Sequence, residues 1–278
     1  MTSFCIRRAG SAVLALCLLI LSTPAAASLS VQPAFVELDL SKGRPAKVVT
    51  VTNVSDQELR YRAETVHFVY TAGGSFETVE PDAQSMASWI KFNPREFTLA
   101  AGESRSIRLT VVAPKNLDDG EYWAALRFEP LVGLVSKSEV TDGKSVAIEV
   151  RTNILVPIVG RKGDLVFQCS LTDLKAWRSD QGFAVVASVA NTGNGRARVV
   201  GTCEVLDADG NPVADGPLGE DTILAGGERR FERLLAGDYP PGAYTVRVRC
   251  TSKNFKDVLA GQTGVRDEPP AGYDSGTP

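Results

Sequence analysis

Apolar residues in this chain recur at every second position, in short runs, and scarcely anywhere at helical spacing. In "KSVAIEVRTNILVPIV" (144–159), Val146, Ile148, Val150, Ile154 and Val156 share one parity, and Ala147, Glu149, Arg151 and Asn153 share the other. Period two marks a strand with two unlike faces. Runs rich in Val, Ile, Thr and Phe, punctuated by Gly, Pro, Asn and Asp, repeat this plan along the chain, so the expected class is all-β. In the first half, "SVQPAFVEL", "AKVVTVTNV", "ELRYRAETVHFVY", "WIKFNP", "REFTLA", "SRSIRLTVVAP", "EYWAALRFEP" and the 144–159 segment read as strands. That number in half a chain fits an immunoglobulin-like sandwich.

The second half repeats the first in order. "VVTVTNVSD" matches "VVASVANTG", with Asn53 answering to Asn191. "LAAGESRSIRL" matches "LAGGERRFERL", and "DDGEYWAALRF" matches "PPGAYTVRVRC". Each piece has a mechanical reason. Asn followed by small polar residues ends a strand in a turn. A Gly-Glu turn starts the next strand. A Tyr after Pro/Asp-Gly can act as a corner, its ring in the core and its hydroxyl on nearby backbone. Two immunoglobulin-like sandwiches in tandem are therefore expected, 28–160 and 161–266. "PIVGRKGDL" forms the hinge, and the Pro-, Gly- and acid-rich end, 267–278, reads as a disordered tail.

Residues 1–27 read as a signal peptide. Arg7 and Arg8 precede the apolar run "SAVLALCLLIL", and Ala25-x-Ala27 offers a cleavage site. The arginines lack the context of twin-arginine export, and Leu16 before Cys17 is too large for a lipoprotein signal. No other stretch approaches membrane-spanning length, so no membrane insertion is expected after cleavage. A formal net charge of −3 argues against nucleic acid, which calls for basic surface.

The chain has one histidine, His67, which argues against His-based triads and multi-His metal sites. Glu121, Asp118 and Asp119 cluster at a turn without a nucleophile–base pair. No enzyme and no cofactor is expected. "NVS" at 53–55 is a formal glycosylation sequon, and "DADGNP" at 207–212 reads as a hairpin turn rather than a calcium loop. Cys169, Cys203 and Cys250 share parity with apolar neighbours and point inward. An oxidising compartment permits one disulfide and leaves one thiol. In an immunoglobulin-like order the strands of Cys203 and Cys250 are neighbours, which makes them the candidate pair. A bridge from Cys169, and three buried thiols, stay open.

Over roughly residues 29–160, the signposts "VVTVTNVSDQELRYRAE", "FTLAAGESRSIRL", "LDDGEYWAALRFEP" and "VAIEVRTNILVPIV" resemble the periplasmic chaperones of the chaperone–usher pilus pathway. The resemblance implies that the last strand of the first domain plugs the groove of an unfinished pilin-like subunit, with Val146, Ile148 and Val150 as inserted side chains. It also implies a long preceding loop, here "LVGLVSKSEVTDGKS", an outer-membrane usher as second partner, and a periplasmic location. Family members anchor the subunit's terminal carboxylate on a Lys late in that strand and an Arg in the first strand. The matching positions here hold Leu155 and Phe35. Arg151, on the parity of Leu155, is the candidate substitute. The second half looks more like a general immunoglobulin or fibronectin-type module.

Alternation alone is equally consistent with Val146, Ile148 and Val150 facing their own core. The competing reading is a secreted or surface adhesive protein of the same fold without chaperone activity. Such a protein should hide its edges with charges, bulges or prolines.

Overall fold

The computed structural model describes residues 29–132, 134–140 and 144–270, and the side chains of these outside 134–150. The leader expected at 1–27 and most of the expected tail lie outside the described residues. The described chain is all-β. In order it forms β1 (Leu29–Gln32), β2 (Val36–Asp39), β3 (Ala46–Asn53), β4 (Leu59–Tyr70), β5 (Phe76–Val79), β6 (Ile90–Asn93), β7 (Glu96–Leu99), β8 (Ser104–Val111), β9 (Gly120–Pro130), β10 (Leu134–Val140), β11 (Lys144–Val150) and β12 (Ile154–Lys162). There follow β13 (Cys169–Ser179), β14 (Gly182–Asn191), β15 (Ala197–Leu206), β16 (Pro212–Ile223), β17 (Glu228–Ala236), β18 (Thr245–Ser252) and β19 (Leu259–Gly264).

In the first half, the sheet β1-β3-β8-β6 packs on the sheet β2-β12-β9-β4-β5, to which β7 adds beside β4. Between them lies a core that includes Val49, Tyr61, Leu99, Ile107, Leu126, Phe128, Val156 and Ile158. The "SVQPAFVEL" segment, read as one strand, is two. Its first part pairs with β3 and its second runs parallel to β12, so the chain changes sheets at Pro33–Phe35. In the second half, β13-β14-β17 faces β16-β15-β18-β19 around a separate core that includes Phe183, Val185, Val199, Val246 and Val248. No ladder joins the two halves among the described residues.

The sequence "EYWAALRF" on β9 is apolar without alternation because both faces are covered. Tyr122, Ala124, Leu126 and Phe128 enter the first core. Trp123 and Ala125 enter a small cluster with Val66, Phe68, Val159 and Leu224, the last from the second half. A continuous apolar run is what two buried faces require.

Both strand-end asparagines are buried and do the same work. Asn53 Nδ2 donates to the Gln57 and Leu99 carbonyls at 2.7 and 3.0 Å, and its Oδ1 accepts from the Ser55 amide at 3.0 Å. Asn191 Nδ2 donates to the Gly195 and Ile223 carbonyls at 2.9 Å each, and its Oδ1 accepts from the Gly193 amide at 3.0 Å. The "NVS" sequon is thus built into the core of a turn. The corners correspond too: Tyr122 Oη donates to the Asp118 carbonyl at 3.0 Å, and Tyr244 Oη to the Pro240 carbonyl at 2.8 Å.

Candidate functional site

The 144–159 segment is not one strand. From Gly120↔Lys162 to Phe128↔Ile154, β9 and β12 form an antiparallel ladder within the first sandwich. Val156 and Ile158 are buried in that sandwich, at 1% and 0% exposure. Both meet their own core, worth about 1.5–3 kcal/mol each.

Beyond Ile154 the arrangement changes. Residues 151–153 leave the ladder, all exposed, and Arg151 is among them. A second ladder then begins at Leu134↔Val150 and runs to Val140↔Lys144. Between the last rung of one ladder and the first of the other, Phe128 and Leu134 stand six positions apart in sequence but Val150 and Ile154 only four, so the joint is asymmetric. The segment expected as a long loop is in part a strand, β10. Its Ser, Lys and Glu residues, alternating with few apolar ones, gave no strand signal.

The β10–β11 ribbon is a sheet of its own. Its register sets Val146 opposite Ser138, Ile148 opposite Ser136 and Val150 opposite Leu134. Among the described residues, β11 ladders with β10 alone. One margin of β11 therefore carries backbone donors and acceptors with no ladder to receive them.

Toward the other end of the β9–β12 ladder lies the junction between the two halves. Leu155 is half-buried and packs against the Trp123 cluster. Phe35 is exposed (42%), and the Arg196 guanidinium lies 5.0 Å from its ring centroid. The two share a cavity of about 360 Å³ with Tyr70, Pro157, Val159 and Leu224. Burial, with Asp221 nearby, pushes the Tyr70 hydroxyl above its ordinary pKa. The basic group beside Phe35 is thus Arg196, from the second half.

Arg196 was missed from sequence, as was its partner's role. Glu121 is 3% exposed. Its Oε1 accepts from Arg161 Nε at 2.8 Å, and its Oε2 from the Arg196 amide at 2.7 Å. Arg196 Nη1 lies 3.4 Å from the same carboxylate, and Arg196 Nη2 also meets Glu37. A buried carboxylate is tolerable only when so satisfied. The Glu121 amide donates to the Asn194 carbonyl at 2.8 Å, and Asn194 Nδ2 donates to the Asp119 carbonyl at 2.9 Å. The acidic cluster read at this turn is therefore a clamp between the halves.

A second clamp stands at the β4–β5 turn. The Arg230 amide and Arg229 Nη1 both donate to the Ala72 carbonyl, at 2.8 and 3.2 Å. Gly74, with φ +87°, lies against the Arg229 guanidinium so closely that a Cβ there would overlap it.

Cys169, Cys203 and Cys250 are free thiols, all buried in the second core. Cys203 stands opposite Val248 and Cys250 opposite Gly201, so the two are neighbours displaced by two residues along the strands. Burial pushes Cys169 and Cys250 up to about 11.

No family model matches the chain, and no curated protein does. The chain is similar to solved fimbrial chaperones. One structure is the chaperone–tip adhesin complex of CFA/I fimbriae, with 16% identity, 87% of this chain and 100% of that chain covered, and a TM-score of 0.46. Another is the Pseudomonas aeruginosa CupB2 chaperone (12%, 85% and 100%, 0.41). A third is the E. coli chaperone DraB (13%, 87% and 97%, 0.43).

Proposed function

We propose that this chain is a periplasmic chaperone that holds pilin-like fibre subunits by donating an edge strand and passes them to an outer-membrane usher. The observation that carries this reading is the ribbon. β11 continues the last hairpin of the first sandwich past a joint, and ladders with β10 alone among the described residues. Such a margin is a template for a foreign strand. Backbone hydrogen bonds would supply affinity and alternate side chains specificity. Val146, Ile148 and Val150 would be the inserted side chains. Burying three aliphatic groups contributes on the order of 5–8 kcal/mol before ordering costs. Arg151, at the joint, would be the substitute basic anchor.

The sequence of β11 has no proline and no glycine, whereas the edge strand β16 of the second half carries Pro212, Pro217 and two register shifts. Edges that must not pair are blunted in the second way. The contrast favours the chaperone over the purely structural reading. The division at about residue 160 belongs to the same proposal, and is supported by the two separate cores. The leader at 1–27 would deliver the chain to the periplasm.

The test is the double substitution Ile148→Asp, Val150→Asp, co-expressed with a fibre subunit lacking its final strand. The variant should keep the wild-type circular dichroism and tryptophan fluorescence and lose the co-purifying subunit. Capture at the wild-type level overturns the proposal. Unfolding of the first sandwich overturns it too, because those side chains would then belong to the chain's own core.

A further inference from the structure

We propose that Cys169 and Cys250, and not Cys203, are joined as a disulfide across the second sandwich when the chain folds in the presence of a disulfide donor. The pairing is independent of the chaperone reading and needs only that the folding chain meets such an oxidant.

Cys203 and Cys250 lie on adjacent strands, β15 and β18, but on different rungs, Cys203↔Val248 and Gly201↔Cys250. Diagonal neighbours in an antiparallel pair are about 7–8 Å apart, whereas a disulfide holds its Cβ atoms about 3.5–4.5 Å apart. The Cys203 thiol also lies 3.6 Å from the Gly216 carbonyl. Gly216 is on β16, which flanks β15 on the side away from β18. The Cys203 thiol is therefore turned toward β16, away from the strand of Cys250.

Cys169 approaches Cys250 from the opposite sheet. β13 closes the side of the sandwich against β19. The Arg178 amide donates to the Arg266 carbonyl at 2.7 Å, and the Arg266 amide to the Ala176 carbonyl at 3.0 Å, in a parallel bridge. Further back, Leu171 lies against Gly261, so closely that a methyl built on Gly261 would sit 2.4 Å from Leu171 Cδ2. Two residues further back on both strands stand Cys169 and Leu259. Leu259 is the rung partner of Cys250. That register puts Cys169 level with the rung partner of Cys250, and both thiols lie inside one core.

The electrostatics agree with this placement. Beyond burial, the nearby charge that holds Cys250 up is an ionised Cys169. The charges felt by Cys203 are instead Arg233 and Asp215.

The chemistry balances with the donor alone. One cysteine thiolate attacks a sulfur of the donor disulfide, and the donor's other sulfur leaves as thiolate. The second cysteine thiolate then displaces the donor from the mixed disulfide. The protein pair loses two electrons and two protons, and the donor is reduced to two thiols. A thiol held near 11 is ionised to only about one part in ten thousand at neutral pH, so the folded protein reacts slowly. The bond is made while the sandwich closes.

The experiment refolds the full chain without its leader, reduced and denatured, in an oxidised/reduced glutathione buffer. Thiols are counted in denaturant, and peptides are mapped by mass without reduction. The count should fall from three to one, with Cys169 and Cys250 in one linked peptide. Cys203→Ser should give the same link and no thiol. Cys169→Ser and Cys250→Ser should each keep two thiols. A link involving Cys203, or three thiols after refolding, overturns the proposal. If Cys169→Ser or Cys250→Ser fails to fold, the wild-type map and Cys203→Ser decide it.

Discussion

Asn53 and Asn191 are the same clasp built twice. Each donates from Nδ2 to a carbonyl in the turn that follows it and to one in the strand end that it holds, Leu99 or Ile223, and Asn53 reaches the Ala100 carbonyl as well. Each backbone carbonyl also accepts from a left-handed glycine, Gly102 (φ +75°) or Gly226 (φ +73°), at 3.0 Å. Replacing either Asn by Ala leaves several buried carbonyls and amides unpaired. We expect a loss of about 2–3 kcal/mol for each. Urea unfolding followed by tryptophan fluorescence checks this. Asn53→Ala should move the signal of Trp89 and Trp123, and Asn191→Ala that of Trp177. Equal shifts of both signals from one substitution would count against two separate cores.

The tyrosine corners predict a smaller effect. Tyr122→Phe and Tyr244→Phe each remove one hydroxyl hydrogen bond to a carbonyl four residues earlier. Each should cost about 1 kcal/mol, with the ring left in place. The measurement is again the urea midpoint, and a loss above that of the asparagine substitutions would contradict the assignment.

The clamp at the junction makes Glu121 the costliest single position there. Glu121→Ala leaves Arg161 and Arg196 with Glu37 as their shared carboxylate and opens the bond to the Arg196 amide. Removing one partner of a buried, charge-assisted network costs about 3–5 kcal/mol when both sides are buried. Arg161 is partly exposed, so about 2–3 kcal/mol is expected here. Small-angle scattering should also show a larger radius of gyration, as the halves lose a fixed angle. An unchanged scattering curve would mean that the apolar contact of Trp123 and Leu224, with the clamp on the Ala72 carbonyl, holds the angle without Glu121.

Gly74→Ala tests the other clamp. The left-handed backbone alone makes alanine unfavourable by about 1 kcal/mol, and the methyl must displace the Arg229 guanidinium. The expected outcome is a loss of about 1–2 kcal/mol. Combining it with Arg229→Ala should relieve the overlap, so the double variant should cost less than the sum of the two single changes. Strict additivity would sink this account.

Local signals made the repeat legible. Asn, Gly and Tyr stand at turns whose chemistry is set by near neighbours, and the pairs Asn53/Asn191 and Tyr122/Tyr244 fall where the sequence match puts them. The middle match is one residue out. The shared Leu-Ala of Leu99-Ala100 and Leu224-Ala225 attracts the alignment, but Ile223, not Leu224, takes the place of Leu99. What depended on distant partners stayed hidden. Arg196 meets Glu37 and Glu121 across the junction, and nothing within "NGRARVV" marks it. The change of sheet at Pro33–Phe35 and the end of the core ladder at Ile154 were likewise invisible to parity. Parity reports which way side chains alternate, not which strand pairs beside them.

The buried thiols set a pH dependence on the reduced protein. An acid whose pKa is raised on folding binds its proton more tightly in the folded state. Its contribution is therefore complete below the unfolded pKa and is lost as pH rises toward the folded one. Burial raises Cys169 and Cys250 from 9.0 to about 11, so the window runs from about pH 9 to 11. Between these limits the unfolded chain releases protons that the folded chain keeps, and stability must fall. Under reducing conditions the urea midpoint should be flat from pH 7 to 8 and should drop between pH 9 and 10.5. Cys169→Ser with Cys250→Ser should remove most of that drop. The oxidised protein should lack that part of the drop as well, because a disulfide has no proton to release. A reduced protein as stable at pH 10.5 as at pH 8 would show that these thiols are not desolvated in the folded state.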